Sequence, residues 1–133
     1  MESPALHHSP LEGVHLAHGA RLVPFAGWMM PVQYSGITDE HLAVRNHAGV
    51  FDISHMGEFF VSGPGAMAWL NTLLTNDISL LKTGDGQYTL MLNERGGVID
   101  DLIVYRTEPE QFLLVVNASK IEENASKTKK HYF

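Results

Sequence analysis

Not one cysteine occurs in the 133 residues, which excludes disulfides, thiolate nucleophiles and cysteine-ligated zinc or iron–sulfur sites. Cations are scarce as well: nine Lys and Arg stand against fifteen Asp and Glu, a formal charge of −6. The basic cluster is confined to Lys127, Lys129 and Lys130. Phosphate backbones require clustered cations over a folded surface, so nucleic acid is not an expected partner. No apolar run approaches the roughly 20 residues that span a bilayer, and no membrane association is expected. The opening MESPALHHSP has neither a basic segment ahead of an apolar core nor the arginine richness of a transit peptide, so the expected location is cytoplasmic.

What is present reads as globular protein. With 44% hydrophobic and 18% charged residues, the chain can form a packed core and suits one domain or part of a larger one. Short apolar segments alternate with Gly and Pro punctuation. Ser9-Pro10 ahead of Leu11 and Val14, with Gly19 as a stop, predicts a short helix over 10–18. Residues 20–25 read as a strand, and 27–34, between Pro24 and Pro31, as an irregular connection. A helix is expected over 38–48, with Ile37, His41, Val44 and Ala48 along one stripe. VFDIS and EFFVSG read as strands, and a third helix opens at Pro64 with Met67, Leu70, Leu73 and Leu74 as its apolar face.

Three strands then follow at short spacing: residues 87–93, 98–106 and 111–117, joined by ERGG and TEPE turns. They predict an antiparallel meander. Together with the preceding helices, the expected fold class is α+β, an antiparallel sheet with helices on one face. From Lys120 onward the chain turns polar, begins like a helix, and has nothing evident to pack against.

The segment VIDDLIVYR carries two adjacent aspartates in an apolar strand. Strand alternation sets Val98, Asp100, Leu102 and Val104 on one face and Ile99, Asp101, Ile103 and Tyr105 on the other. The two carboxylates therefore cannot act as a joined pair. An ionised carboxylate withdrawn from water without partners costs several kcal/mol, so at least one has a dedicated partner or lines a cleft. Both lying solvated beside the Gly96-Gly97 turn is the plainer alternative. Against it, Tyr105 shares the face of Asp101, and Tyr88 stands on the neighbouring strand. A carboxylate among aromatics suits a flat heterocycle with polar edges.

The eight histidines tempt a metal reading, but they form no HExxH and no pair at ligand spacing with a carboxylate, and no metal site is expected. His15 and His18 lie one helical turn apart, which chance also produces. His55 reads as a hydrogen-bonded structural residue between two strands. Gly63-Pro64-Gly65 lacks the endings of a P-loop or dinucleotide fingerprint, and GxSxG is absent.

The segments FAGWMMPVQY, EHLAVRNHAGVFDISHMGEF, Thr75 to Asp77, Tyr88, GGVIDDLIVYR and LLVVNAS, in this order and spacing, resemble the N-terminal part of the glycine cleavage system T protein family, the folate-dependent aminomethyltransferases. The likeness runs from about Leu11 to Ile121. It implies an incomplete part of a three-domain cloverleaf fold, with residues 1–121 as the folate-binding domain and 122–133 as a divergent polar tail. The implied reaction moves an aminomethyl group from the dihydrolipoyl arm of the H protein to tetrahydrofolate, a co-substrate, with release of ammonia. The resemblance implies Asp101 as the catalytic carboxylate, with Met56, Tyr88, Tyr105 and Asn117 against the folate. Asp100 is left as a structural partner. A non-catalytic folate-binding module, or an inert fragment of a split gene, is the alternative expectation.

Overall fold

The computed structural model describes residues 5–129, so Lys130 and His131 lie outside the described part. The described chain divides into two compact units at His55/Met56. In the first unit, a two-residue strand β1 (His7–His8) precedes helix α1 (Glu12–Ala17), strands β2 (Arg21–Phe25) and β3 (Trp28–Gln33), and helix α2 (Ile37–Asn46). The strand order is β1-β3-β2, with β1 parallel and β2 antiparallel to β3.

Two sequence expectations change here. Residues 28–33 are a regular strand despite Pro31, and Pro24 sits within β2. Both prolines are tolerated because β2 is an outer strand and β1 covers β3 only at Trp28 and Met29. At Pro31, β3 has a neighbour on one side, so a missing N–H breaks no central ladder. VFDIS, by contrast, is not a strand. The side chain of Asp52 turns into a polar cluster instead, while Val50, Phe51 and Ile53 stay exposed. The stripe expected on α2 also remains on the surface, with Ile37 and Val44 exposed. The helix is held at its start by Glu40, whose Oε1 accepts from the backbone N–H groups of Tyr34, Ser35 and Gly36. Those bonds, that from Gly36 foremost, keep the Glu40 carboxyl below its ordinary range.

The second unit holds strand β4 (Gly57–Ser62), helix α3 (Ala66–Leu73), a 3-10 turn at Ile78–Leu80, strands β5 (Gly86–Leu92), β6 (Val98–Glu108) and β7 (Gln111–Val116), and helix α4 (Ile121–Lys129). Its four strands are antiparallel in the order β4-β7-β6-β5, and the meander is as the sequence predicts. One sheet face packs Val61, Met91, Leu102, Val104, Phe112, Leu114 and Val116 against Ala66, Leu70 and Leu74 of the α3 region and Ile78. Complete burial of a side chain such as Leu70 or Phe112 contributes about 1.5–3 kcal/mol.

The fate of the tail differs from expectation. Residues 121–129 are helical, Asn124 is 1% exposed, and Ile121 joins the core. Ile121 approaches β4 so closely that a Cβ at Gly57 would lie 2.6 Å from its Cγ1. Only glycine leaves room there.

Candidate functional site

The register of the four-stranded sheet sorts β6 into two populations. Asp100, Leu102 and Val104 are buried, while Asp101, Ile103 and Tyr105 face outward, as alternation requires. The start of the strand departs from that pattern: Val98 is exposed and Ile99 buried. Met91 pairs with Asp100 and Leu92 with Val98, so Ile99 is an extra residue, a bulge that shifts the phase of the strand.

On the outward face, β5 sets Tyr88 opposite Ile103 and Leu90 opposite Asp101. Tyr88 is therefore the diagonal neighbour of Asp101, within reach of an aromatic side chain. Its hydroxyl donates to Asp101 Oδ2 at 3.1 Å. That hydrogen bond first, then partial desolvation and the charges of Asp101 and Asp100, raise the Tyr88 phenol above its ordinary value. The phenol is a lasting donor to the carboxylate. Asn117, just past β7, donates through Nδ2 to the other oxygen, Oδ1, at 3.1 Å and to the Asp101 carbonyl at 2.8 Å. Asp101 is thereby held from both sides yet remains exposed.

Tyr105 stands further along the same face, opposite Gly86 on β5. A Cβ at Gly86 would lie 2.6 Å from the Tyr105 ring, so glycine is what lets the ring lie across the neighbouring strand. Met56 immediately precedes Gly57, whose partner is Val116, so Met56 and Asn117 stand at the same end of the β4–β7 pair. The hydrogen-bond network takes in Tyr88, Asp101 and Asn117, whereas Tyr105 and Met56 are placed by register alone.

Asp100 occupies the buried side. At 4% exposure, it accepts from Asn117 N at 3.2 Å, Asn117 Nδ2 at 2.8 Å and Asn124 Nδ2 at 2.6 Å. Asn124 was not among the sequence-derived candidates: a lone asparagine in a polar segment carries no signal until α4 is docked. The Thr75–Asp77 segment acts at the other edge. Thr75 N donates to Leu90 O, Thr75 Oγ1 accepts from Leu90 N, and Asn76 Nδ2 donates to Tyr88 O at 2.7 Å. These bonds clothe the edge of β5 and fix the backbone that carries Tyr88. Asp77 caps the following 3-10 turn through Ser79, which lowers its carboxyl pKa.

The first unit holds a separate buried cluster. His15 Nε2 meets Asp52 Oδ2 at 2.7 Å, His15 Nδ1 meets the Tyr34 hydroxyl at 2.8 Å, and Ser9 Oγ donates to the same Asp52 oxygen. Ser54 N donates to Asp52 Oδ1 at 2.9 Å. Burial pushes the Asp52 carboxyl up, but the bonds from Ser54, Ser9 and His15 outweigh it and hold the group well below the carboxylate range. Every donor here is spoken for, which marks a structural clasp. His55 makes no hydrogen bond through Nδ1, contrary to expectation, and instead sets its ring edge-on to Phe25 at 5.9 Å. Among the described residues, no cluster of three or more His, Asp or Glu is placed to hold a metal ion.

The second unit is thus an α+β arrangement with one packed sheet face and one exposed face, the latter bearing Asp101 braced by Tyr88 and Asn117. The model of the GCVT N-terminal domain matches residues 11–132, and the chain belongs to that family. It is 52% identical over 120 residues to an aminomethyltransferase of Deinococcus deserti, covering 90% of this chain and 34% of that protein. It is 55% identical over 119 residues to that of Desulforamulus reducens, covering 90% and 33%. The crystal structure of glycine cleavage system aminomethyltransferase T from Bartonella henselae superposes with a TM-score of 0.90 at 43% identity, over 96% of this chain and 36% of that one. The chain thus spans about a third of the length of the relatives it matches.

Proposed function

We propose that this chain forms the tetrahydrofolate-binding part of a glycine cleavage aminomethyltransferase, in which the aminomethyl group on the dihydrolipoyl arm of the H protein passes to tetrahydrofolate and ammonia leaves. The observation that carries this reading is Asp101: an exposed carboxylate, braced by Tyr88 and Asn117, on an open face that also presents Ile103 and Tyr105. Such a face offers area to a flat heterocycle and a fixed charge to its polar edge. Residues 1–121 make up the folate-binding portion, with Asn124 bracing it from the following helix.

Departure of ammonia from the aminomethyl carbon builds positive charge on carbon and nitrogen. A carboxylate held in place before the reaction stabilises that charge without reorganisation and can orient proton transfer. Tyr88, with its proton retained, keeps one oxygen of Asp101 in position, and Asn117 keeps the other. Tyr105 and Met56 are assigned to the folate surface. The cytoplasm is the proposed location; among the described residues no helix is long and apolar enough to cross a membrane.

Isothermal titration of the 133-residue chain with tetrahydrofolate tests the binding half of the proposal. An ammonia-release assay with aminomethylated H protein tests the other, using a complete family transferase that carries this segment. Asp101→Asn in that protein is expected to lower turnover roughly 10²-fold or more, as for other positioned acid–base groups. Near-normal turnover would remove Asp101 from the chemistry. Turnover that appears when the remaining portion of such a transferase is added to this chain in trans supports the alternative, a folate-binding module.

A further inference from the structure

Buried Asp100 has no place in the reaction outlined above, yet three donors converge on it. Asn124 Nδ2 and Asn117 N reach Oδ2 at 2.6 and 3.2 Å, and Asn117 Nδ2 reaches Oδ1 at 2.8 Å. Both oxygens must accept, which a carboxylate can do and an amide cannot. Asn117 Nδ2 meets two further acceptors, the carbonyl and Oδ1 of Asp101 at 2.8 and 3.1 Å. All three groups facing that end of the amide are acceptors. The orientation of Asn117 is therefore settled chemically: Nδ2 toward β6, and Oδ1 on the other branch of the amide.

We propose that Asp100, itself held by Asn124, is a positioning residue that fixes the polarity of the Asn117 amide, so that its oxygen is presented as an acceptor beside the Asp101 carboxylate and favours a ligand bringing N–H donors there. This rests on the folate reading, and it deepens it. The ring nitrogens of a tetrahydropterin carry hydrogens that the fully oxidised pterin lacks, so the Asn117 oxygen beside the Asp101 carboxylate favours the reduced ring. Asn124 belongs to this device from the opposite side. Its Nδ2 also bonds Lys120 O at 2.9 Å at the start of its own helix, while the bond to Asp100 ties α4 to the strand that carries both aspartates.

Asp100→Asn is nearly isosteric but must point an amide donor at one of the three donors. The strain is relieved by turning Asn117 or Asn124 around. Titration of the 133-residue chain with tetrahydrofolate and with folic acid gives the ratio of the two affinities. In Asp100→Asn this ratio is expected to fall about 3- to 10-fold, the value of about one hydrogen bond. A merely structural role lowers both affinities together and leaves the ratio unchanged, which overturns the proposal. If the wild-type chain binds neither ligand, the folate reading falls as well. If it binds and discriminates while Asp100→Asn keeps the ratio, the positioning role alone falls.

A second measurement needs no variant. In the wild-type chain, NMR contacts between the Asn117 Nδ2 protons and the Asp101 backbone are expected to persist on addition of tetrahydrofolate. Their replacement by contacts to the ligand overturns the proposal, whatever the fate of Asp100→Asn.

Discussion

Asp52→Ala is expected to destabilise the first unit by about 3 kcal/mol. The side chain of Asp52 is 3% exposed and that of its partner His15 6%. Truncation leaves the His15 Nε2–H, the Ser9 hydroxyl and the Ser54 N–H without their acceptor. An unsatisfied buried donor costs about 1–3 kcal/mol, and breaking one side of a buried ion pair about 3–5 kcal/mol. Ser9 can rotate and Ser54 is exposed, so the low end of that range applies. Asn in place of Asp keeps one acceptor and should cost about half as much. The chain has two tryptophans, Trp28 in β3 and Trp69 in α3, so fluorescence of Trp28 in a Trp69→Phe background reports the first unit. With a urea slope of about 1.5 kcal/mol/M, the midpoint should drop by about 2 M. Acid gives the companion test. Because the folded Asp52 carboxyl lies below its unfolded value of about 3.9, its contribution is complete above that pH and drains away as pH falls below it. The acid-limb loss should be smaller in Asp52→Asn than in wild type, the part due to Glu40 remaining. A change under 0.5 kcal/mol in Asp52→Ala, or an unaltered acid limb in Asp52→Asn, would refute the clasp.

Three other outcomes are expected. Asp101→Asn should bring the Tyr88 phenol back toward its ordinary value of about 10, followed by NMR of the tyrosine ring carbons; an unmoved titration disproves the coupling. In wild type, the stabilisation from Tyr88 is complete below pH of about 10 and declines as pH rises through the higher folded value. Gly86→Ala should push the Tyr105 ring aside and weaken tetrahydrofolate binding about 3- to 10-fold in calorimetry, with no loss of thermal stability; unchanged affinity would take Tyr105 out of the binding surface. Leu70→Ala, at a side chain with no exposed surface, should cost about 3–4 kcal/mol in chemical denaturation, and a cost below 1 kcal/mol would contradict the packing of α3 on the sheet.

The meander and the opposite facing of the two aspartates were legible because period-two alternation is strong over Asp100 to Tyr105 and the first turn carries Gly96 and Gly97. Alternation failed at Val98 and Ile99, since a bulge is a property of the pairing and leaves no mark on one strand. GWMMPVQY was misjudged because proline excludes only a central ladder position, and which strand is central is decided by the sheet. VFDIS has strand composition, but the demand of His15 and Ser9 for an acceptor draws Asp52 into the clasp. Asn124 was invisible for a related reason. Its partner Asp100 lies 24 residues away, and only the docking of α4 brings them together. The role of Thr75–Asp77 along the edge of β5 is likewise tertiary.

The bulge at Ile99 has a consequence for how this hairpin can vary. It stands between the turn at Asn93–Gly97 and the aspartates, and it absorbs one residue of offset. Loop length and site geometry are thereby uncoupled: removal of one residue can be met by flattening the bulge, with Asp101 still opposite Leu90. A change in turn length can be taken up at the bulge while the carboxylate stays in phase.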